Sequence, residues 1–318
     1  MKRDKTLDAI KSSTWARRLS LAKLTTAAGA RAAAHAVGGL LRDREAQAES
    51  ARLLIARQVA SLTHELGQLK GSIMKAGQML AMYGDHFLPP EAVEVLRSLQ
   101  SSSPPVAFDA IHEVLTRELP AALLANLDID PVAIGAASLG QVHRARRRSD
   151  GAQLAIKVQY PGVGSAIDSD LRTVRRLLAV TKLAPASERY DALFEEVRHM
   201  LHQEMDYVQE REQTEYFGRA LAEDPRYVVP VVYPELCTPR VLTTGLEAGL
   251  VLPNGVVASW PAERRARVGE AALDLYLREM LVFKRVQTDP HFGNYLLRAE
   301  PAGDRLVLLD FGAVRLVP

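Results

Sequence analysis

Residues 286–297, VQTDPHFGNYLL, set an aspartate, Asp289, and an asparagine, Asn294, five positions apart in a tight loop between two apolar flanks. Residues 306–312, LVLLDFG, follow and place a second carboxylate, Asp310, at the end of an apolar strand. Read together, the two stretches predict a hairpin with oxygen donors at its ends. Carboxylate and amide oxygens converging from two loops suit a hard divalent cation. Mg²⁺ held that way brings nucleotide phosphates with it.

A phosphate site should then lie upstream, because phosphoryl transfer needs a donor clamp, a cation and a group that orients the acceptor. Residues 134–163, IGAASLGQVHRARRRSDGAQLAIKVQYPGV, read as strand, small-residue turn, strand, Ser-Asp-Gly turn and third strand. Lys157 sits in LAIKV on that third strand, where a protein kinase keeps the lysine that contacts the phosphates. A partly buried lysine needs a carboxylate to stay charged. The helix carrying Glu204, Asp206 and Glu210 offers one. Each piece alone is common; the pieces in this order, each in its expected strand or loop, predict a bilobal kinase-like α+β fold. His291 is expected to make a structural loop hydrogen bond.

The composition agrees with a chain of two lobes. Its 318 residues are 47% hydrophobic and 25% charged, with aromatics scarce at 6%, a mixture that leans towards helix. The single cysteine, Cys237, excludes an intrachain disulfide framework and a cysteine-cluster metal site, and reads as a small apolar filler. Net charge is +2, and the first fifty residues are the basic part, with ten Lys/Arg against five Asp/Glu. Residues 24–41 are rich in small residues but carry Arg31 and His35, too polar for a membrane span. With basic neighbours they suit either an anionic membrane surface or a solvated leader helix. No signal peptide is indicated.

Further along, residues 51–82 carry apolar side chains at helical spacing, and PPEAVEVLRSLQ (89–100) and FDAIHEVLTREL (108–119) read as short amphipathic helices. Helices are expected at 164–184 and, unbroken, at 190–221. Short strands follow around VVPVVYP and RVLTTG, then a long helix through residues 263–285. Four consecutive segments are expected: a basic N-terminal segment (1–50), a helical extension (51–105), a kinase-like N-lobe with added helices (106–247) and a partial C-lobe (248–318).

Three motifs carry a resemblance to a known family. MKAGQML contains Lys75, Gly77 and Gln78 in a Lys-x-Gly-Gln pattern; GAASLGQVHRA begins at Gly135; EMDYVQE holds Glu204, Asp206 and Glu210. The chain resembles the UbiB/AarF/ADCK family of atypical, protein-kinase-like proteins over residues 66–311. That resemblance implies an ion pair between Lys157 and Glu210, Mg²⁺ on Asn294 and Asp310, and Asp289 in the place of the catalytic base. Residues Gly135, Ala136, Ala137 and Ser138 would form the Ala-rich loop that replaces a Gly-rich one. The helix with Lys75 and Gln78 would fold over the site and meet Glu204 and Asp206, where a peptide substrate would otherwise lie. Alanine restrains a loop that glycine frees, so Gly135 is expected to make this loop more permissive towards nucleotide phosphates.

The sequence departs from the family at several points. Gln287 stands two before Asp289, where the family often has histidine, so the loop packing there is expected to differ; SSSPP replaces an acidic position. The chain stops at Pro318, six residues after Gly312, so a C-lobe cut short is expected, with an apolar face of Leu273, Leu277 and Met280 open to solvent or a partner. The function expected is that of an Mg²⁺-dependent, ATP-binding atypical kinase or ATPase. By resemblance it supports isoprenoid-quinone (ubiquinone) biosynthesis or membrane lipid homeostasis, is cytoplasmic or peripheral on an inner membrane face, and partners lipid or quinone intermediates and quinone-biosynthesis proteins. No nucleic-acid partner is expected. The alternatives are a catalytically silent nucleotide- or lipid-binding scaffold and a small-molecule kinase of the choline or aminoglycoside type.

Overall fold

The structure is a computed structural model that describes residues 72–84, 93, 96, 106–136, 139–180, 188–289, 291–301 and 303–317. The basic N-terminal segment lies outside the described residues, as does most of the helix expected over 51–82. Of PPEAVEVLRSLQ only Val93 and Leu96 are described, both helical and buried. The chain divides into two compact units that interleave in sequence: 1–111, 136–141 and 159–202 form one, and 112–135, 142–158 and 203–318 the other. The sequence reading, by contrast, divides the chain into four consecutive segments.

In the first unit, α1 (Ser72–Gly84) packs against α4 (Val163–Val180). Ala76, Gly77, Leu80 and Ala81 are buried, and the small residues among them let two helix backbones approach closely. From α4, Ile167, Leu171 and Val174 are buried. α5 (Glu188–Glu204) adds Val197 and Leu201, and Arg198 on it donates to Asp168 on α4 at 2.8 Å.

The second unit begins with α2 (Phe108–Glu118) and α3 (Ala121–Ala125), which lead into a four-stranded sheet. Its strands are β1 (Leu127–Ala136), β2 (Gly140–Arg147), β3 (Gln153–Gln159) and β5 (Val241–Gly245), in the order β1-β2-β3-β5. The Ser-Asp-Gly turn closes the β2–β3 hairpin with Gly151 at φ 75°, a left-handed position that glycine adopts without steric cost. β3 alternates as a half-buried strand should: Leu154, Ile156 and Val158 point inward, so Lys157 lies on the opposite face. Antiparallel pairing sets Lys157 opposite Leu242 of β5.

The helix expected over 190–221 is in fact two. It breaks at Met205–Asp206, where Asp206 leaves helical geometry (φ −91°, ψ 82°) and its carboxylate accepts from Gln209 N at 3.0 Å, capping α6 (Tyr207–Ala220). Hydrophobic spacing alone did not register that an aspartate so placed starts a helix more readily than it continues one.

β4 (Tyr227–Val228), β6 (Leu250–Val251), β8 (Tyr295–Arg298) and β9 (Arg305–Leu308) form a second sheet in the order β4-β9-β8-β6. The β8–β9 hairpin is the one read from the sequence. After the single turn of α7 (Gly255–Ala258), α8 (Ala262–Arg278) runs into a π-helical turn, Glu279–Phe283, which ends at Lys284 in left-handed geometry. β7 (Arg285–Gln287) pairs with β10 (Val314–Leu316) and brackets both predicted loops. Of the apolar face expected to be open, Leu273 and Leu277 on α8 are exposed, while Met280 in the π-helical turn is half-buried. Cys237 is half-buried, with its thiol 3.2 Å from Tyr233 O.

The core of this unit gathers Phe217, Leu221, Tyr227, Leu275, Leu297 and Phe311 among others. Phe217 is fully buried, stacked on Phe311 at 4.8 Å and edge-on to Phe283 at 5.8 Å. Truncating a ring so enclosed leaves a cavity. Phe217→Ala should therefore cost about 3–5 kcal/mol of stability in urea titrations; a loss below ~1 kcal/mol would mean that the aromatic stack does not organise this core.

Candidate functional site

Lys157 is the centre of the site. Its Nζ donates to both oxygens of Glu210, at 2.6 and 2.8 Å, and to Oδ2 of Asp310 at 3.0 Å. The side chain of Glu210 is 2% exposed, that of Lys157 16% and that of Asp310 33%, so the carboxylates differ in hydration by design of the fold. The Tyr207 ring lies 5.1 Å from Nζ, within cation–π range. Glu210 and Tyr207 stand three apart on α6 and so share a face.

The charges follow from this burial. Taking Lys157 out of water disfavours its ammonium, but Asp310 and then Glu210 outweigh that cost and hold its pKa well above the ordinary lysine value. Burial, and then Asp310, push Glu210 up to about 7, against the pull of Lys157. Glu204, half-buried at the end of α5, adds its own repulsion to Glu210 and Tyr207. Glu279 is a second buried acid, pushed up to about 7 by burial and partly relieved by the N–H of Gln287.

The two loops meet the site from the hairpin. Asp310 Oδ1 accepts from Gly312 N at 2.9 Å. A side chain on Gly312 would come within 3.2 Å of Glu210 Oε2 and 3.3 Å of Asp310 Oδ1, a tight fit that either carboxylate would have to ease by a few tenths of an ångström. Asn294 donates its amide to Asp289 O at 3.0 Å, and its backbone carbonyl accepts from Leu309 N at 2.9 Å. No hydrogen bond to Asn294 Oδ1 is made among the described residues, which leaves that oxygen for a ligand. Asp289 is exposed at the loop rim. His291 accepts from Gly293 N at 3.0 Å and starts the turn of residues 292–294, the structural role expected of it.

The chemistry of the oxygen donors on Asp310 and Asn294 suits a magnesium ion. Among the described residues no group of three His, Cys, Asp or Glu side chains is arranged to hold a metal alone. Mg²⁺ does not ask for one, since it takes one or two carboxylates and completes its shell with phosphate and water. Asp310 and Asn294 supply oxygens of that kind.

The other predicted residues stand as follows. Lys75, half-buried, and Gln78, exposed, lie on α1 in the first unit. Asp206 is the helix cap described above. Gly135, near the end of β1, is exposed and lacks the positive φ that only glycine takes easily. A methyl there would meet nothing nearer than Val142 Cβ at 3.9 Å. Ala136 ends β1, and Ala137 and Ser138 lie outside the described residues. Sequence reasoning missed Tyr207, whose spacing to Glu210 was a legible signal, and Glu279, for which there was none; Gln287 it flagged only as a difference in loop packing.

Comparison with known proteins bears on the same residues. A family model described as the ABC1 atypical kinase-like domain matches residues 98–318. The chain belongs to this family. Atypical kinase COQ8, mitochondrial, of Saccharomyces cerevisiae is 33% identical over 255 residues, covering 80% of this chain and 50% of its own. Atypical kinase COQ8B, mitochondrial, of Danio rerio is 32% identical over 267 residues, covering 84% and 42%. The chain spans about half the length of the curated relatives it matches. A solved structure, the complex of Rv3197 with erythromycin from Mycobacterium tuberculosis, aligns with a TM-score of 0.56 at 30% identity, over 86% of this chain and 68% of that one. The fold is thus kinase-like, α+β, as the sequence predicts. Among the described residues no helix is long and apolar enough to cross a membrane.

The ion pair makes a pH-dependent prediction. Lys157→Met leaves Glu210 buried without its cation, which should cost roughly 3–5 kcal/mol at pH 8.5. Near pH 5.5 Glu210 takes a proton and the penalty shrinks, because the folded state then binds a proton that the unfolded chain binds less often. Urea denaturation at both pH values checks this; an equal loss at both would show that Glu210 does not carry the cost.

Proposed function

We propose that this chain carries the nucleotide site of an Mg²⁺-dependent atypical kinase or ATPase. The observation behind the reading is the threefold contact of Lys157 with Glu210 and Asp310. It brings a carboxylate from α6 and the DFG aspartate within hydrogen-bond reach of one amine from β3. Kinase-like catalysis is chiefly positioning and electrostatic stabilisation, and this arrangement supplies both.

In this reading Glu210 fixes the Lys157 amine so that it faces phosphate oxygens. Asp310 and Asn294 hold the metal, whose charge when bound stabilises the phosphates of ATP. Asp289, exposed and tied through its backbone to Asn294 and Gln287, orients the acceptor. By the family resemblance, the loop that begins at Gly135 would serve the phosphates. The reading rests on the second unit; Lys75 and Gln78 enter it through the family signature alone. By the same resemblance, the process served is isoprenoid-quinone biosynthesis or lipid homeostasis. The acceptor or lipid is met at a membrane surface, with the basic N-terminal segment providing attraction to anionic headgroups.

ADP release from Mg·ATP, with and without anionic liposomes, tests this. Lys157→Ala and Asp310→Asn should each lower the rate by roughly 10²-fold, as expected when an electrostatic contact to transferring phosphate is lost. Turnover indifferent to both substitutions would remove the enzyme. Magnesium-dependent ATP binding without turnover would replace it with a nucleotide-responsive scaffold, and stimulation by an amino alcohol with a small-molecule kinase.

A further inference from the structure

Gln287 departs from the family's frequent histidine, and its surroundings show what the glutamine does. It is a polar side chain only 7% exposed, at the end of β7 and opposite Val314 of β10. Its amide nitrogen donates to the backbone carbonyl of Asp310 at 2.7 Å. The amide oxygen accepts from Asp289 N at 3.1 Å, and the backbone N–H of Gln287 donates to buried Glu279 Oε2 at 3.0 Å. One residue therefore ties together the π-helical turn, the Asp289 loop and the DFG segment.

An amide is suited to this because it carries a donor and an acceptor on one rigid plane, and both are used. A carboxylate would lose the donor and bring a charge inside; an apolar side chain would lose both bonds. Buried hydrogen bonds hold geometry because an unpaired group there is costly. Asp310 is otherwise fixed on its side-chain oxygens by Gly312 N and Lys157. The Gln287 bond adds a hold on its main chain.

We propose that Gln287 is a positioning residue: its side-chain amide sets the distance between the Asp289 loop and the Asp310 backbone, and so sets how well Asp310 meets magnesium. The proposal deepens the nucleotide-site reading and rests on it for the magnesium part. Glu279 anchors the clasp from below by holding the Gln287 main chain.

Two variants of the full 318-residue chain separate the bonds. Gln287→Met keeps the volume and removes both side-chain hydrogen bonds, while Gln287→Glu keeps the acceptor and removes the donor. In calorimetric titrations of ATP binding against Mg²⁺, both should need about tenfold more Mg²⁺, the scale of one lost hydrogen bond, with metal-free ATP affinity unchanged. Hydrogen exchange of the Asp289 amide should quicken about tenfold in Gln287→Met and stay slow in Gln287→Glu. A fall in melting temperature with the wild-type Mg²⁺ requirement would reduce Gln287 to a packing residue and overturn the proposal. If the wild-type chain itself binds no Mg·ATP, the functional reading and the magnesium part fall together. Unchanged exchange at Asp289 in Gln287→Met would overturn the clasp by itself.

Discussion

A buried amine cannot remain charged without an opposite charge beside it, and this constraint organises the second unit. Lys157 leaves water on β3 because its neighbours on that strand face the core; Glu210 meets it from α6 with almost no exposure. Either group alone would be costly, and together they are stable only while hydrogen-bonded. Asp310 is different. It is a third exposed and shares the same amine, so it can turn to another cation at lower cost.

The helix that supplies Glu210 also supplies Phe217, one face carrying residues 210, 214 and 217. Phe217 stacks on Phe311, the residue next to Asp310. α6 thus holds the DFG segment twice, once by charge and once by an aromatic contact. Its own start is fixed by the Asp206 cap. Gly312 completes the arrangement, because a side chain there would crowd both carboxylates. Movement of α6 would therefore disturb the ion pair and Asp310 together.

Much of this was legible in the sequence, for physical reasons. The turn signals around LAIKV placed Lys157 on a third strand, and a polar loop between apolar runs announced the β8–β9 hairpin. Glu210 was named through the family motif, while local reasoning had left it one of three acids. The break between α5 and α6 was missed because apolar spacing continues across it, although Asp206 is a strong capping residue. Gly135 was credited with backbone freedom that its strand geometry does not use. The partnership of Gln287 with Glu279 joins two elements by hydrogen bonds to backbone, and no pattern of side-chain types encodes such bonds.

The most direct measurement of the central contact is a crystal structure of this chain with Mg²⁺ and a non-hydrolysable ATP analogue. The account predicts metal about 2.0–2.1 Å from oxygens of Asp310 and Asn294, with the Lys157 amine still on Glu210 and facing phosphate. Metal bound away from Asp310, or nucleotide bound away from Lys157, would contradict it.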